Sequence, residues 1–550
     1  MKRKISILLV LTLLACLLVP SAMAQNIVDL KGKLVILHTN DIHGYAVTNP
    51  SEPTMGYAQI AEYRKEALDQ GANVLMLDAG DFSQGQPIVN LDQGASAVEF
   101  MNAVGYDAAC PGNHEYDWGS DNFLQNAEKA NFPILAANII RSSDKELIFQ
   151  ANKIFEYGDV KVGVFGLDTP ETLTKANPEL MKGLTFLMGE ELYACAQAQV
   201  DELKAAGCTL IVCLGHMGVD DESIGNRSLD IIANTNGIDL FIDGHSHTEL
   251  NQKVDQKAVE GEEKAAQTLL VSTGSYGHNL GEVVYDGESL SAALVPASPA
   301  QITANEGDDE VADAVNSKNA AVEEQLSAVF AKTEVDLDGN RDPGVRTQET
   351  NLGDFCTDAM LWAANQSYSQ PVVAAINNGG GIRASIAAGD MTMKDMKTVF
   401  PYGNTVAVLT LKGSELLEAL ESATFATPDA LGAFPQVSGI VFTIDTSVAY
   451  EQGDQYPDST YYAPAKPGSR VTIESVGGEP FDLEKDYVIA TNNFSAAGGD
   501  TYYVFAYAYK QTGTDLGVAL EDALINYVNV QLGGVIGQEY AQPQGRITVK

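Results

Sequence analysis

The chain has 550 residues, 45% of them hydrophobic and 19% charged, a globular balance in a chain too long for one compact core. Its formal net charge is −41, which argues against nucleic acid polymers and anionic lipid surfaces as partners. An anionic substrate therefore needs local positive charge, from metal ions or from placed arginines.

The first residues read as a leader. Lys2-Arg3-Lys4, an apolar run from Ile5 to about Val19, and Pro20-Ser21-Ala22-Met23-Ala24 have the basic, hydrophobic and cleavage regions of a secretory signal. The run is shorter than the ~20 residues of a spanning helix. A mature chain starting near Gln25, periplasmic or extracellular, is expected; Cys16 after Leu13-Leu14-Ala15 leaves a lipoprotein open. Losing Lys2, Arg3 and Lys4 takes the charge from −41 to −44. No later apolar run is long enough to cross a bilayer, so stable membrane insertion is not expected. With Cys16 gone, Cys110, Cys195, Cys208, Cys213 and Cys356 remain. An odd number at irregular spacing argues against a disulfide framework, and Cys208 and Cys213 read as small packed hydrophobes.

From Lys33 to about Val295 short apolar runs alternate with amphipathic stretches. Leu34–Leu37, Val74–Leu77, Val162–Phe165, Leu210–Cys213 and Leu240–Ile242 read as buried strands, and Tyr57–Ala67 and Ala95–Ala103 as helices. That alternation predicts a layered α/β domain over residues 25–300. Between Asn305 and Lys332 acidic residues and alanines dominate, with apolar positions at Val311, Val315, Val322, Leu326 and Phe330. This reads as a solvent-exposed linker helix within 301–335. A second α/β domain is expected over 336–550, with strands at Val372–Ile376 and Thr405–Leu411 and a helix at Gly413–Ser422.

Five segments of the first domain place metal-capable side chains just after a buried strand: His38-Thr39-Asn40-Asp41-Ile42-His43, Gly80-Asp81, Gly112-Asn113-His114-Glu115, Gly215-His216 and Gly244-His245-Ser246-His247. Ligands of open α/β sheets bind beyond the carboxyl ends of strands, so the five segments point to one place. Asp41 and His43, two apart on an extended chain, can face the same side. Carboxylate with imidazole suits Zn²⁺, Mn²⁺ or a similar ion. Asp81 offers a carboxylate able to bridge two ions, and Asn113, His216 and His245 add neutral donors; a two-ion site suits in-line phosphoryl displacement. Six of the seven histidines lie in these segments, and His278, the exception, reads as structural.

In this order the segments, with Gly112-Asn113-His114-Glu115-Tyr116-Asp117, resemble the calcineurin-like metallophosphoesterases, and more narrowly the 5′-nucleotidase family. In the second domain the resemblance rests on Arg346-Thr347-Gln348-Glu349-Thr350-Asn351-Leu352-Gly353, Asn378-Gly379-Gly380-Gly381-Ile382-Arg383 and Asn493-Phe494-Ser495-Ala496-Ala497-Gly498-Gly499-Asp500. It implies a nucleotide substrate and an active site between the domains. Asp41 and His43 would hold a first divalent ion, Asp81 would bridge, and Asn113, His216 and His245 would hold a second. His247 would be an extra ligand to the first ion or a substrate contact. His114 would stabilise charge on the phosphoryl group with Asp117 holding its ring. Arg346 and Arg383 would bind phosphate, Tyr402 and Phe494 would sandwich the base, Asn378 would bond to the base, and Asp500 to the ribose. A UDP-sugar hydrolase, a 2′,3′-cyclic-nucleotide phosphodiesterase and a non-catalytic nucleoside-binding surface protein are the rival readings. Oligomeric state is not legible.

Overall fold

The computed structural model describes residues 30–49, 53–258, 265–297, 307–457 and 459–550. The expected leader, and residues 301–306 of the expected linker, lie outside them. The N-terminal half opens with strand β1 (Leu34–Thr39), helix α1 (Gly56–Asp69), β2 (Asn73–Asp78), α2 (Ala95–Val104) and β3 (Ala108–Ala109). It continues with β4 (Asn152–Tyr157), β5 (Val160–Asp168), the one-turn helix α3 (Thr172–Lys175), β6 (Leu210–His216), β7 (Leu240–Ile242), β8 (Glu249–Asp255), β9 (Gln267–Thr273), β10 (Asn279–Tyr285) and β11 (Leu290–Pro296).

These strands form two sheets, in the orders β11-β10-β1-β2-β3 and β8-β9-β7-β6-β5-β4. Strand periodicity of two decides which side chains meet. Leu34, Ile36, Leu75 and Leu77 of the first sheet pack with Val162, Val164, Val212 and Leu214 of the second. The alternate residues Val35, Leu37, Val74 and Met76 pack against helices on the outer face. Phe165, Ile211 and Cys213 do the same beneath the helix Glu190–Ala205. Within the sheets, β1, β2 and β3 are parallel, as are β5, β6 and β7. Their carboxyl ends therefore all lie at one rim.

The expected linker helix is present as α4 (Asp309–Leu326), but it is not a free solvent-exposed rod. Val311, Val315, Val322 and Leu326 are buried, and the helix lies against α1 and α2. Its acidic and alanine-rich composition describes only the outer face; of the apolar stripe, Val311 and Val315 extend the core of the first half. Phe330 leaves the helix for a strand, Val329–Thr333, that pairs with Gly389–Thr392 and Val535–Ile536.

The C-terminal half is built on β12 (Ala374–Asn378), β13 (Thr405–Lys412), β14 (Pro435–Ser438), β15 (Asp486–Asn492) and β16 (Thr514–Ala519), in the order β14-β12-β15-β13-β16. The helix Asn351–Ser367 covers one face and Gly413–Ser422 the other, each over its own apolar cluster. A one-turn helix, α5 (Asn493–Ala496), follows β15 directly. Among the described residues Cys110, Cys195, Cys208, Cys213 and Cys356 are free thiols, and no helix is long and apolar enough to cross a membrane.

Candidate active site

The rim of parallel strand ends carries the predicted donors. Asp41 and His43 follow β1, Asp81 follows β2, Asn113 and His114 follow β3, His216 ends β6, and His245 and His247 follow β7. The turns are tight. Asp41, His43, Asp81, His245 and His247 all have left-handed φ, between 48° and 77°, a conformation unfavourable for residues with a Cβ. The motif glycines allow close approach: a Cβ on Gly112 would lie 2.3 Å from Asp81 Oδ1, and one on Gly244 2.8 Å from His216 Nδ1.

Hydrogen bonds choose which imidazole nitrogen faces inward. His43 Nδ1 is 3.0 Å from the Gln84 carbonyl and His216 Nδ1 is 2.7 Å from that of Ala79, so both donate there and present Nε2. His245 is turned the other way: Nε2 meets Glu171 Oε2 at 2.8 Å and Nδ1 meets Asn113 Oδ1 at 2.9 Å. His43 Nε2 is 3.1 Å from His247 Nε2, which is 3.3 Å from Asp41 Oδ1. Asp81 Oδ2 stands between two imidazoles, 3.7 Å from His43 Nε2 and 3.1 Å from His216 Nε2. That last contact makes no hydrogen bond, and His216 Nε2 is buried without a partner.

Donor atoms shared by one cation at bonds of about 2.0–2.2 Å lie roughly 3–3.5 Å apart. The spacings, the orphaned His216 nitrogen and the imidazole–carboxylate donor set fit divalent ions. Three groupings could each hold one: Asp41, His43 and His247; Asp81, His216 and His245; and His43, Asp81 and His114. The charges agree. Burial opposes ionisation of Asp81, but the imidazoles of His216, His114 and His43 outweigh it and hold the carboxyl well below its usual range.

His114 differs from the other histidines in its partner. Its Nδ1 lies 2.8 Å from Asp117 Oδ2, and its ring stacks on Tyr402 with centroids 5.6 Å apart. Burial pushes its pKa down, yet the carboxylates of Asp117 and Asp81 reverse this and raise it overall. Tyr402 comes from the other half of the chain, so the site continues across a cleft of about 510 Å³. Arg346, Asn378, Arg383, Tyr402, Phe494 and Asp500 line it opposite Asp81, Asn113, His114, Asp117, His245 and His247. Arg346 is held down to about 9 by burial and by the neighbouring Arg341 and Arg383 guanidiniums, an arrangement that favours a bound anion. Asn378 is already engaged on both sides, accepting from Asn492 at 2.9 Å and donating to Asp500 Oδ2 at 3.0 Å.

The structure also gives roles to residues to which the sequence reading assigned none. Glu115 Oε atoms accept from the backbone N–H groups of Asp81, Phe82, Ser83 and Gly112, fixing the loop that carries Asp81. Glu171 holds His245, Arg341 Nη1 reaches His247 Nδ1 at 3.3 Å, and Lys175 lies 3.5 Å from Asp500 Oδ1. His38, in the first motif, belongs to the core. It is 1% exposed, sits over Gly281, and burial alone lowers its pKa to about 3. His278 lies outside the cleft lining.

Comparison with known proteins agrees with this architecture. A family model described as calcineurin-like phosphoesterase matches residues 34–249, and one described as 5′-nucleotidase, C-terminal domain, matches 329–507. The snake venom 5′-nucleotidase of Gloydius brevicauda is 30% identical over 86% of this chain and 82% of its own length. The chain belongs to the 5′-nucleotidase family. A 5′-nucleotidase precursor from Thermus thermophilus superposes with a TM-score of 0.77 at 29% identity, covering 94% of this chain and 99% of that one. The trifunctional nucleotide phosphoesterase protein YfkN of Bacillus subtilis is 33% identical over 88% of this chain, which spans only 33% of that longer protein. Membership in this family makes the protein a metal-dependent phosphoric monoester hydrolase.

Proposed function

We propose that the protein is a secreted 5′-nucleotidase that uses two divalent ions, such as Zn²⁺ or Mn²⁺, to convert nucleoside 5′-phosphates to nucleoside and inorganic phosphate. The observation that carries this reading is the cleft itself: grouped donors around Asp81 face arginines and a cleft-lining aromatic ring from the other half. Asp41, His43 and His247 would hold one ion, Asn113, His216 and His245 the other, and Asp81 would serve both. When bound, the ions supply concentrated positive charge for the phosphoryl oxygens and for the attacking water.

The chain's own residues do the rest. Arg346 and Arg383 orient the phosphate by charge-assisted, fork-like hydrogen bonds. Water attacks phosphorus in line, the bond to the 5′ oxygen breaks, and that oxygen takes a proton to leave as the nucleoside. His114, kept charged by Asp117, stabilises negative charge as it develops on the phosphoryl group. Phe494 and Tyr402 hold the base, while Asn378 and Asp500 contact base and ribose. Export rests on the leader sequence of residues 1–24.

A substrate panel tests the reading. AMP, ADP, UMP, UDP-glucose and 2′,3′-cyclic AMP are each assayed for phosphate release with added Mn²⁺ or Zn²⁺. AMP and UMP are expected to lead. Preferred turnover of UDP-glucose or of the cyclic nucleotide would overturn it.

A further inference from the structure

Glu171 is a fully buried carboxylate that the proposed chemistry does not use. It lies just past the end of β5 and caps the one-turn helix α3. An isolated buried carboxylate is strongly disfavoured, so its partners show what holds it there. Its Oε2 is 2.8 Å from His245 Nε2, and its Oε1 accepts from Ser223 Oγ at 2.8 Å. Both carboxylate oxygens are thus engaged, with Oε2 aimed at the imidazole.

Two of the other inward-facing imidazoles, His43 and His216, donate to neutral backbone carbonyls. His245 alone among the three is oriented by a buried carboxylate, and it alone presents Nδ1, toward Asn113. A carboxylate behind an imidazole fixes its tautomer and ring plane and raises its basicity as a ligand. We propose that Glu171 is a positioning residue that, by accepting the Nε2 proton of His245, turns His245 Nδ1 toward Asn113 and completes the donor set of one divalent ion. This rests on the two-ion reading above.

The test measures ion binding rather than turnover. Metal-free wild-type, Glu171→Gln, Glu171→Ala and Ser223→Ala proteins are titrated with Zn²⁺ against a fluorescent chelator. Loss of an outer partner of a ligand weakens binding by about 10- to 100-fold. Wild type is expected to take two ions. In Glu171→Ala one affinity falls by roughly 10- to 100-fold and the other stays within about threefold. Glu171→Gln, whose amide oxygen still accepts, loses less, and Ser223→Ala, which keeps the carboxylate, least. If Glu171→Ala does not fold, the order Glu171→Gln below Ser223→Ala below wild type decides the matter. Two ions bound equally tightly by wild type and Glu171→Gln overturn the role of Glu171 and leave the two-ion reading standing. Fewer than two ions in wild type overturns both.

Discussion

Replacing Phe494 by alanine separates recognition of the base from chemistry at the phosphate. The ring is 9% exposed, lines the cleft, and lies against Gly499, where an added Cβ would stand 2.4 Å from ring atoms Cε2 and Cζ. Stacking of a base on an aromatic side chain contributes about 1–3 kcal/mol. At about 1.36 kcal/mol per tenfold, kcat/KM for AMP falls roughly 5- to 150-fold. Removing a buried ring also costs folding stability, about 3–5 kcal/mol for a fully buried one, so the melting temperature drops too. The assay therefore uses a ratio that folding does not move: kcat/KM for AMP over that for ribose 5-phosphate, which lacks only the base. Gly499→Ala supplies a second perturbation, because its methyl must displace the ring without removing any core volume. Both variants are expected to lower the ratio. An unchanged ratio in both, with the two substrates falling together, would refute stacking and leave Phe494 as packing for its loop.

Other perturbations probe the remaining parts. Asp81→Asn should lower turnover by several orders of magnitude and reduce bound metal, with chelator inactivating wild type and Mn²⁺ or Zn²⁺ restoring it; full activity of metal-free protein contradicts this. His114→Ala should cost about 10²–10³ in kcat while keeping more than half of the wild-type metal, and a lower metal content would make His114 a ligand. Asp117 raises the His114 pKa against burial, so in Asp117→Asn the charged imidazole is lost at lower pH and the alkaline fall of kcat moves down; an unmoved profile refutes the assignment. Lys175→Met removes the ammonium 3.5 Å from Asp500 Oδ1, and at ~1 kcal/mol for such a pair the KM for AMP should rise about fivefold with kcat little changed; equal KM values would show the contact is idle.

Much of the architecture was legible because strand runs are short, apolar and bounded. The helix Gly413–Ser422 appears with its predicted limits, and Asn73–Asp78 extends the predicted Val74–Leu77 by one residue at each end. The reading of α4 as exposed holds for its outer face and not for its apolar stripe, and the cause is plain. Composition averages over a helix, whereas burial follows one stripe, and Val311, Val315, Val322 and Leu326 already marked that stripe. What they could not show was its partner, since α1 and α2 lie more than 200 residues earlier in the sequence.

The site divides in the same way. Position along β1 was enough to expel His38: it shares parity with Leu34 and Ile36, which face the second sheet, whereas Asp41 and His43 lie past the strand end. Glu171 was hidden because the sequence suggests that β5 stops at Phe165, before Gly166. The strand instead runs to Asp168, which pairs with His216 in parallel register. Residues just beyond Asp168 therefore belong to the same rim as the other strand ends, and Glu171 reaches His245 from there. Nothing in the sequence alone foretold the contacts across the cleft, Arg341 with His247 and Lys175 with Asp500. Backbone strain is concentrated at the site. Nine non-glycine residues among those described have left-handed φ, and six are site residues predicted from sequence: Asp41, His43, Asp81, His245, His247 and Asp500. Such conformations cost about 1–3 kcal/mol each and persist only where surrounding structure over-determines them. Here the constraints are visible: Asp41 N donates to the Gly80 carbonyl and His43 N to that of Asp81, and His245 N donates to the Asp41 carboxylate. Asp500 N donates to the Thr174 carbonyl of α3 at 2.7 Å. The strained turns brace one another, and α3, which Glu171 begins, ties the rim that carries Asp41, Asp81 and His245 to the loop that carries Asp500.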